Sequence, residues 1–242
     1  MATRLCSVVI DCADPAALGR WWSSALGWPV TYEAVDEVDV EPAGNDGAVP
    51  ALVFGSVPEP KTVKNRVHLD LASESEAHQV AQVERLLALG ATRADAGQHD
   101  VPWVVLADPE GNELCVLEPR DRYQDCGPLA AIVLDAADPP ALARFWEHAA
   151  GWHVGFEGGG GVSLHHPSDR PPDLDIVVVS DPRRVKNRVH LDVAPFPGDD
   201  LDAEVARLVA LGARRVDIGQ GDVSWVVLAD PEGNELCVLS PR

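Results

Sequence analysis

The sequence predicts an α+β protein built from two tandem copies of one domain. Long identical runs recur at domain-sized spacing, strand-like and helix-like patterns alternate inside each copy, and cap residues stand where the helices should begin and end. Trp103 to Leu117, WVVLADPEGNELCVL, returns unchanged as Trp225 to Leu239, and Val63 to Asp70, VKNRVHLD, returns as Val185 to Asp192. Repeats of this length point to duplicated domains rather than a solenoid of short units. The first domain is expected over residues 1–120 and the second over 128–242. Residues 121–127, in the polar run DRYQDCGP, are read as the linker.

Leu5 to Asp11 reads as a strand. Asp14 and Pro15 follow as N-cap and first helical residue. Leu18, Trp21, Trp22 and Ala25 then form one apolar helical stripe, which Gly27 closes. Thr31 to Glu41 and Ala51 to Val57 read as a strand pair across a turn rich in Gly, Asn and Pro. Arg66 to Leu71 is a strand, and Val80, Val83 and Leu87 mark a second helix ending before Gly90. Trp103 to Ala107 and Glu113 to Leu117 are strands joined by the DPEGN turn. The second copy repeats the order, with Leu142, Phe145, Trp146 and Ala149 on its first helix and Leu201, Val205, Leu208 and Val209 on its second. Residues 31–60 and 153–182 are the divergent stretches.

The formal net charge is −20, with 46% apolar residues. Such an acidic chain repels phosphate backbones and anionic lipid, so neither nucleic acid nor a membrane surface is an expected partner. The opening segment turns polar too soon for a signal peptide, and no run approaches a membrane span. Five cysteines without zinc-ribbon or redox spacing fit free thiols and a cytoplasmic location. The GGGG run lacks the GK[ST] ending of a phosphate loop and reads as a hairpin tip. His165 and His166 are adjacent, so on a strand they point to opposite faces.

Strand alternation puts Val67, Leu69 and Leu71 on one face and Arg66, His68 and Asp70 on the other. Helices should cover the apolar face, leaving the polar one to line a hollow. Arg188, His190 and Asp192 repeat the pattern. Asp11 and Asp135 end the polar-facing set of each copy's first strand, and Trp103 and Trp225 are candidate lining aromatics.

The LGW after the first helix, the RVHLD strand and the closing LADPEGNELCVL resemble the glyoxalase-like domains of the vicinal oxygen chelate superfamily, which includes bleomycin-resistance-like proteins. The resemblance covers nearly all of both copies. It implies that each domain is a pair of βαβββ modules curling into a cup-like mixed sheet with helices outside. Single-domain relatives commonly pair as dimers, so the fusion implies an intrachain pseudo-dimer, monomeric in solution. Metal-using members take ligands from the first strand of each module and from a carboxylate near its end. By that alignment His68 and His190 match the ligand histidine, Cys115 and Cys237 replace the carboxylate, and Ser7 and Ala131 fall on the remaining first-strand position. Asp175 stands nearby in the second copy only.

A catalytic zinc takes three protein ligands, and one His with one Cys falls short, although Asp11 or Asp70 could complete a set. The expectation is therefore a protein without a metal or other cofactor that binds a small apolar or aromatic molecule. Its site comprises His68, Asp70, His190 and Asp192, with Arg66, Arg188, Asp11, Asp135, Cys115, Cys237, Trp103 and Trp225 around the ligand. One alternative is a metal-free enzyme of lyase, isomerase or hydrolase type acting on a small metabolite, in which His68 or Asp70 moves a proton and Arg66 stabilises an anion. A second is a metal-dependent enzyme of the glyoxalase or dioxygenase type.

Overall fold

Asp14 and Asp138 each accept a hydrogen bond from the third residue beyond, Ala17 or Ala141, and so start a helix with proline in its first turn. Gly27 and Gly151 end these helices in the left-handed conformation, at φ 69° and 71°. Ser75 and Asp200 cap two further helices, and the computed structural model has four βαβββ modules among its described residues, 3–95, 97, 100–181 and 183–242. Met1 and Ala2, in the opening segment, and Pro182, at the end of the divergent stretch 153–182, lie outside the described residues.

The first module comprises β1 (Thr3–Cys12), α1 (Pro15–Leu26), β2 (Val30–Glu33), β3 (Glu37–Val40) and β4 (Ala51–Ser56). The second comprises β5 (Val67–Leu71), α2 (Glu76–Ala88), β6 (Thr92–Arg93), β7 (Val104–Ala107) and β8 (Glu113–Val116). The third runs through β9 (Leu129–Ala136), α3 (Pro139–Ala150), β10 (His153–Gly158), β11 (Gly161–His165) and β12 (Asp173–Val178). The fourth holds β13 (Val189–Pro195), α4 (Leu201–Ala210), β14 (Arg214–Arg215), β15 (Val226–Ala229) and β16 (Glu235–Val238).

Two eight-stranded mixed sheets result, and each draws one module from either repeat. The first sheet runs β14-β15-β16-β13-β1-β4-β3-β2 and the second β10-β11-β12-β9-β5-β8-β7-β6. The α+β class and the module content are as expected. The pairing differs, because the modules of one repeat do not share a sheet. The short 117–128 connection lays β9 antiparallel beside β5, with Leu71 opposite Leu129, and β1 pairs likewise with β13. Two half-sheets from different repeats are therefore joined within one chain.

Ion pairs between the repeats flank this join. Lys64 reaches Asp135 at 2.5 Å and Arg66 reaches Glu232 at 3.1 Å, while Lys186 pairs with Asp11 and Arg188 with Glu110 at 3.3 Å. All four pairs cross between repeats, so the repeated KNR acts as a clasp. The DPEGN turn anchors it. Asp108 Oδ1 accepts the N–H groups of Glu110 and Asn112, both at 2.9 Å, and Oδ2 accepts the Asn112 amide and Trp22 Nε1. Asp230 repeats every bond with Glu232, Asn234 and Trp146. Glu110 in turn accepts from the Ala13 and Asp14 backbone at the start of α1. Glu110→Ala should therefore lower stability by about 1–2 kcal/mol, read from the urea midpoint, because helix-end donors lose a charged acceptor and Arg188 loses its partner.

The core lies between each sheet's convex face and its helices. Trp22 and Trp146 are both 1% exposed, each edge-to-face with its neighbour, Trp21 or Phe145. Trp28 and Trp152 also pack inside. Two local readings shift. Thr31 to Glu41 is a hairpin rather than one strand, turned where the Ala34 N–H meets the Glu37 carbonyl. On α2 the buried face is Gln82, Val83 and Leu86, leaving Val80 exposed. Both stripes have helical spacing and share Val83, and contact with the sheet selects one.

Candidate functional site

On β5, Val67, Leu69 and Leu71 enter the core, while His68 and Asp70 point to the concave face. His68 lies opposite Val133 on β9, which lies opposite Asp175 on β12, and Asp70 lies opposite Cys115 on β8. His68 Nε2 stands 3.4 Å from Asp70 Oδ1, and the donor atoms of His68, Asp70 and Cys115 all fall within 4.8 Å of one another. The first sheet repeats the set with His190, Asp192 and Cys237. There the His–Asp approach is 3.3 Å, and Cys237 Sγ lies 3.6 Å from His190 Nε2. All six side chains are largely withdrawn from solvent.

The two sets hold their protons differently. Burial, then the charge of Asp175, pushes Asp70 up to about 7, and burial with the nearby Lys64 charge pushes His68 down to about 3. At His190 burial acts in the same downward sense, but the Asp192 carboxylate and Asp11 outweigh it and hold the imidazole above its ordinary value. Asp175 itself is pushed up by burial. The first sheet has Val53 where the second has Asp175, each paired to the middle of its module's first strand. Its extra carboxylate, Asp39, is one strand further out, on β3, and burial pushes it up to about 6. Burial also raises both thiols, Cys115 and Cys237, which makes them poor nucleophiles.

Four residues expected beside this set serve the clasp instead. Arg66 donates to Asn234 Oδ1, the Asp135 and Asp181 carbonyls and Glu232. Arg188 binds the Glu59 carbonyl and Glu110. With Asp11 and Asp135 they line a cavity of about 680 Å³ between the 57–66 and 181–188 loops. Arg66 precedes β5, so strand alternation does not aim its side chain. Its guanidinium is committed to the clasp, and the cation acting on Asp70 is Arg120.

Trp103 packs beside a small concave cluster of Cys115, Leu117, Tyr123, Ala72 and Ala130, with Arg120 over its ring at 5.9 Å. Trp225 is 39% exposed. Tyr123 is the residue that sequence reasoning missed. It sits in a 3-10 turn of the linker, is 6% exposed, and directs its hydroxyl to Asp175 Oδ2 at 3.5 Å. An aromatic inside an otherwise polar linker was the available signal. Beyond Tyr123 opens a cavity of about 520 Å³, lined by Arg120, Arg122, Phe156, His165, Asp175 and Val178 among others.

Each histidine set also fits a divalent metal ion better than the sequence count suggests. The strand register adds Asp70 or Asp192 to the His and Cys, making three donors. His68 Nδ1, Asp70 Oδ1, His190 Nδ1 and Asp192 Oδ1 are buried without a hydrogen-bond partner. Mixed nitrogen, oxygen and sulfur donors suit a borderline ion such as zinc.

Paired βαβββ modules with a polar set on each sheet define a fold class within which function varies with the site. The profile of the glyoxalase-like domain matches residues 7–117 and again 131–239, so the chain belongs to that family twice over. No curated protein sequence matches it. Among solved structures it resembles glyoxalase I from Zea mays, with TM-score 0.68 and 12% identity over 99% of this chain and 92% of that one. It also resembles a putative dioxygenase from Bacillus subtilis, with TM-score 0.69 and 11% identity over 99% and 85% of the two chains. At these identities the likeness establishes the fold. Among the described residues no helix is long and apolar enough to cross a membrane.

Proposed function

We propose that the chain binds a small molecule with an apolar body and a neutral, hydrogen-bonding end in the hollow of the second sheet. The reading rests on the 520 Å³ cavity, which joins exposed apolar side chains at its mouth to a polar inner wall. Phe156 is 61% and Val178 57% exposed, an unusual expense of apolar surface that a ligand would cover. Inside, Tyr123 and Asp175 offer hydrogen bonds beside Asp70. The raised carboxyls favour a neutral partner over a cation. Phe156→Ser should weaken binding roughly 10- to 100-fold, the worth of one buried aromatic contact, without shifting Tm in the free protein. Thermal shift and calorimetry against a panel of neutral aromatic and aliphatic metabolites check this. A panel with no binder, or a Phe156→Ser protein that binds as well as wild type, refutes it.

A second reading is favoured by the three-donor sets. His68, Asp70 and Cys115, and separately His190, Asp192 and Cys237, would hold a zinc-like ion, which supplies a Lewis acid when bound. In the first reading Asp70 holds a proton near the ligand's polar end; in the second it would give up that proton and hold the ion as a carboxylate. Chelator-treated wild type should take up two equivalents of zinc more than the Cys115→Ser/Cys237→Ser protein. Equal uptake by both proteins would remove this reading and leave the first intact.

A further inference from the structure

We infer that the β10–β11 hairpin carries a separate transition-metal site made of His153, His165 and Asp169. It is distinct from the buried histidine sets, and of its three residues His165 also lines the hollow. His153 and His165 are directly paired across the antiparallel ladder, with ring centroids 6.0 Å apart. Asp169, four residues beyond His165, brings its Oδ1 to 3.0 Å from His165 Nδ1. Donor atoms of the three residues all lie within 4.8 Å of one another. Ligands about 2.0–2.2 Å from one ion stand roughly 3–3.5 Å apart, so small side-chain rotations suffice to close the set.

The backbone around the site is arranged to hold it. The ladder register shifts between Val154 and Phe156, and the residue in that bulge is Gly155. A Cβ there would come within 2.2 Å of the His165 ring, so the imidazole lies in space that only glycine leaves. Asp169 adopts φ 56°, an uncommon conformation for a residue with a side chain, and its N–H bonds the His166 carbonyl at 2.7 Å. Arg122 from the linker donates to both the carbonyl and Oδ1 of Asp169, which fixes the turn but competes for that oxygen. Asp173 adds a fourth group, a second carboxylate, 3.7 Å from His165 Nε2.

Among the described residues the first repeat has no such set. Pro29 follows Gly27 and Trp28 where His153 follows Gly151 and Trp152, and Glu41 bonds back to Pro29 at the place of His165. The site therefore belongs to one hairpin, in the stretch where the repeats diverge. Two imidazoles and a carboxylate favour Zn²⁺, Cu²⁺ or Ni²⁺ over Mg²⁺ or Ca²⁺. His165 and Asp173 also line the mouth of the hollow, so an ion here would stiffen the wall that Arg122 joins to the linker.

The test is made on the Cys115→Ser/Cys237→Ser protein, in which the buried sets lack their thiols, after chelator treatment. It is titrated with Zn²⁺ by calorimetry and with Cu²⁺ by electron paramagnetic resonance. The expected result is one equivalent with imidazole nitrogen coupling, weakened on the order of 100-fold by His153→Gln and by His165→Gln, and about tenfold by Asp169→Asn. His153 is exposed, so His153→Gln keeps the fold, which an unchanged Tm of the metal-free protein verifies. An unchanged equivalent in His153→Gln, or a Cu²⁺ spectrum without nitrogen coupling, would overturn the proposal.

Discussion

Asp108→Ala is expected to destabilise the protein by about 3–5 kcal/mol, read from the urea midpoint at constant m-value. Asp108 is 2% exposed, and its two oxygens satisfy two backbone N–H groups, the Asn112 amide and the indole of Trp22. Alanine removes the acceptor and leaves those donors buried without one. Burial pushes this carboxyl upward, and the hydrogen bonds from Asn112 and Trp22 oppose it. Asp230 holds the matching node, so Asp230→Ala should cost a similar amount. The double variant should lose about the sum, enough to approach the whole stability of an ordinary domain. A cost below about 1 kcal/mol for Asp108→Ala would mean that water replaces the carboxylate and the turn is not the anchor described.

In chelator-treated protein, Asp70→Asn should be more stable than wild type above neutral pH, by roughly 3–4 kcal/mol, with the advantage gone below pH 4. The folded-state pKa of Asp70 is raised from 3.8 to about 7, chiefly by burial and then by Asp175, against relief from Cys115 and Arg120. A raised value means that the protonated form is favoured by folding. Its contribution is complete below the unfolded value and is lost as pH climbs through about 7. Asparagine cannot ionise and escapes the loss, so the two stability curves separate between pH 4 and 7 and run parallel above. Thermal unfolding across pH 4–9 measures this. Repeated with zinc present, the same pair separates the two readings of the site, because an ion held by Asp70 reverses the sign and makes the asparagine variant the weaker protein. Parallel curves throughout would show that Asp70 is solvated and not buried against Asp175.

The helices, their caps and the apolar face of RVHLD were legible because periodicity and capping are local properties. The DPEGN turn was recognisable as a turn, yet its role as a node was not. That role depends on Trp22 and on Asn65, which reach it from distant segments. His68, Asp70 and Cys115 were each picked out from the sequence. Asp11 and Asp70 were both open as the third donor, and the β5–β8 register selects Asp70, opposite Cys115. Arg66 and Arg188 were assigned to the hollow by alternation, but each lies just before its strand, where the pleat no longer dictates direction. The hairpin pair His153 and His165 is twelve positions apart in the chain and meets only through the β10–β11 register, whereas the adjacent His165 and His166 diverge. Adjacency separates side chains on a strand, whereas cross-strand pairing unites them.

Taken alone, the sequence determined the duplication, the α+β class, the helix boundaries and the residue types able to carry chemistry, since all of these are written in spacing and composition. Only the tertiary structure decided that each sheet joins modules of different repeats, that Tyr123 roofs one hollow, and that seemingly equivalent histidines hold protons differently. The physical reason is that proton affinity, burial and strand partnership depend on what long-range folding brings alongside. Two identical RVHLD strands thus acquire different neighbours, Asp175 in one sheet and Val53 in the other.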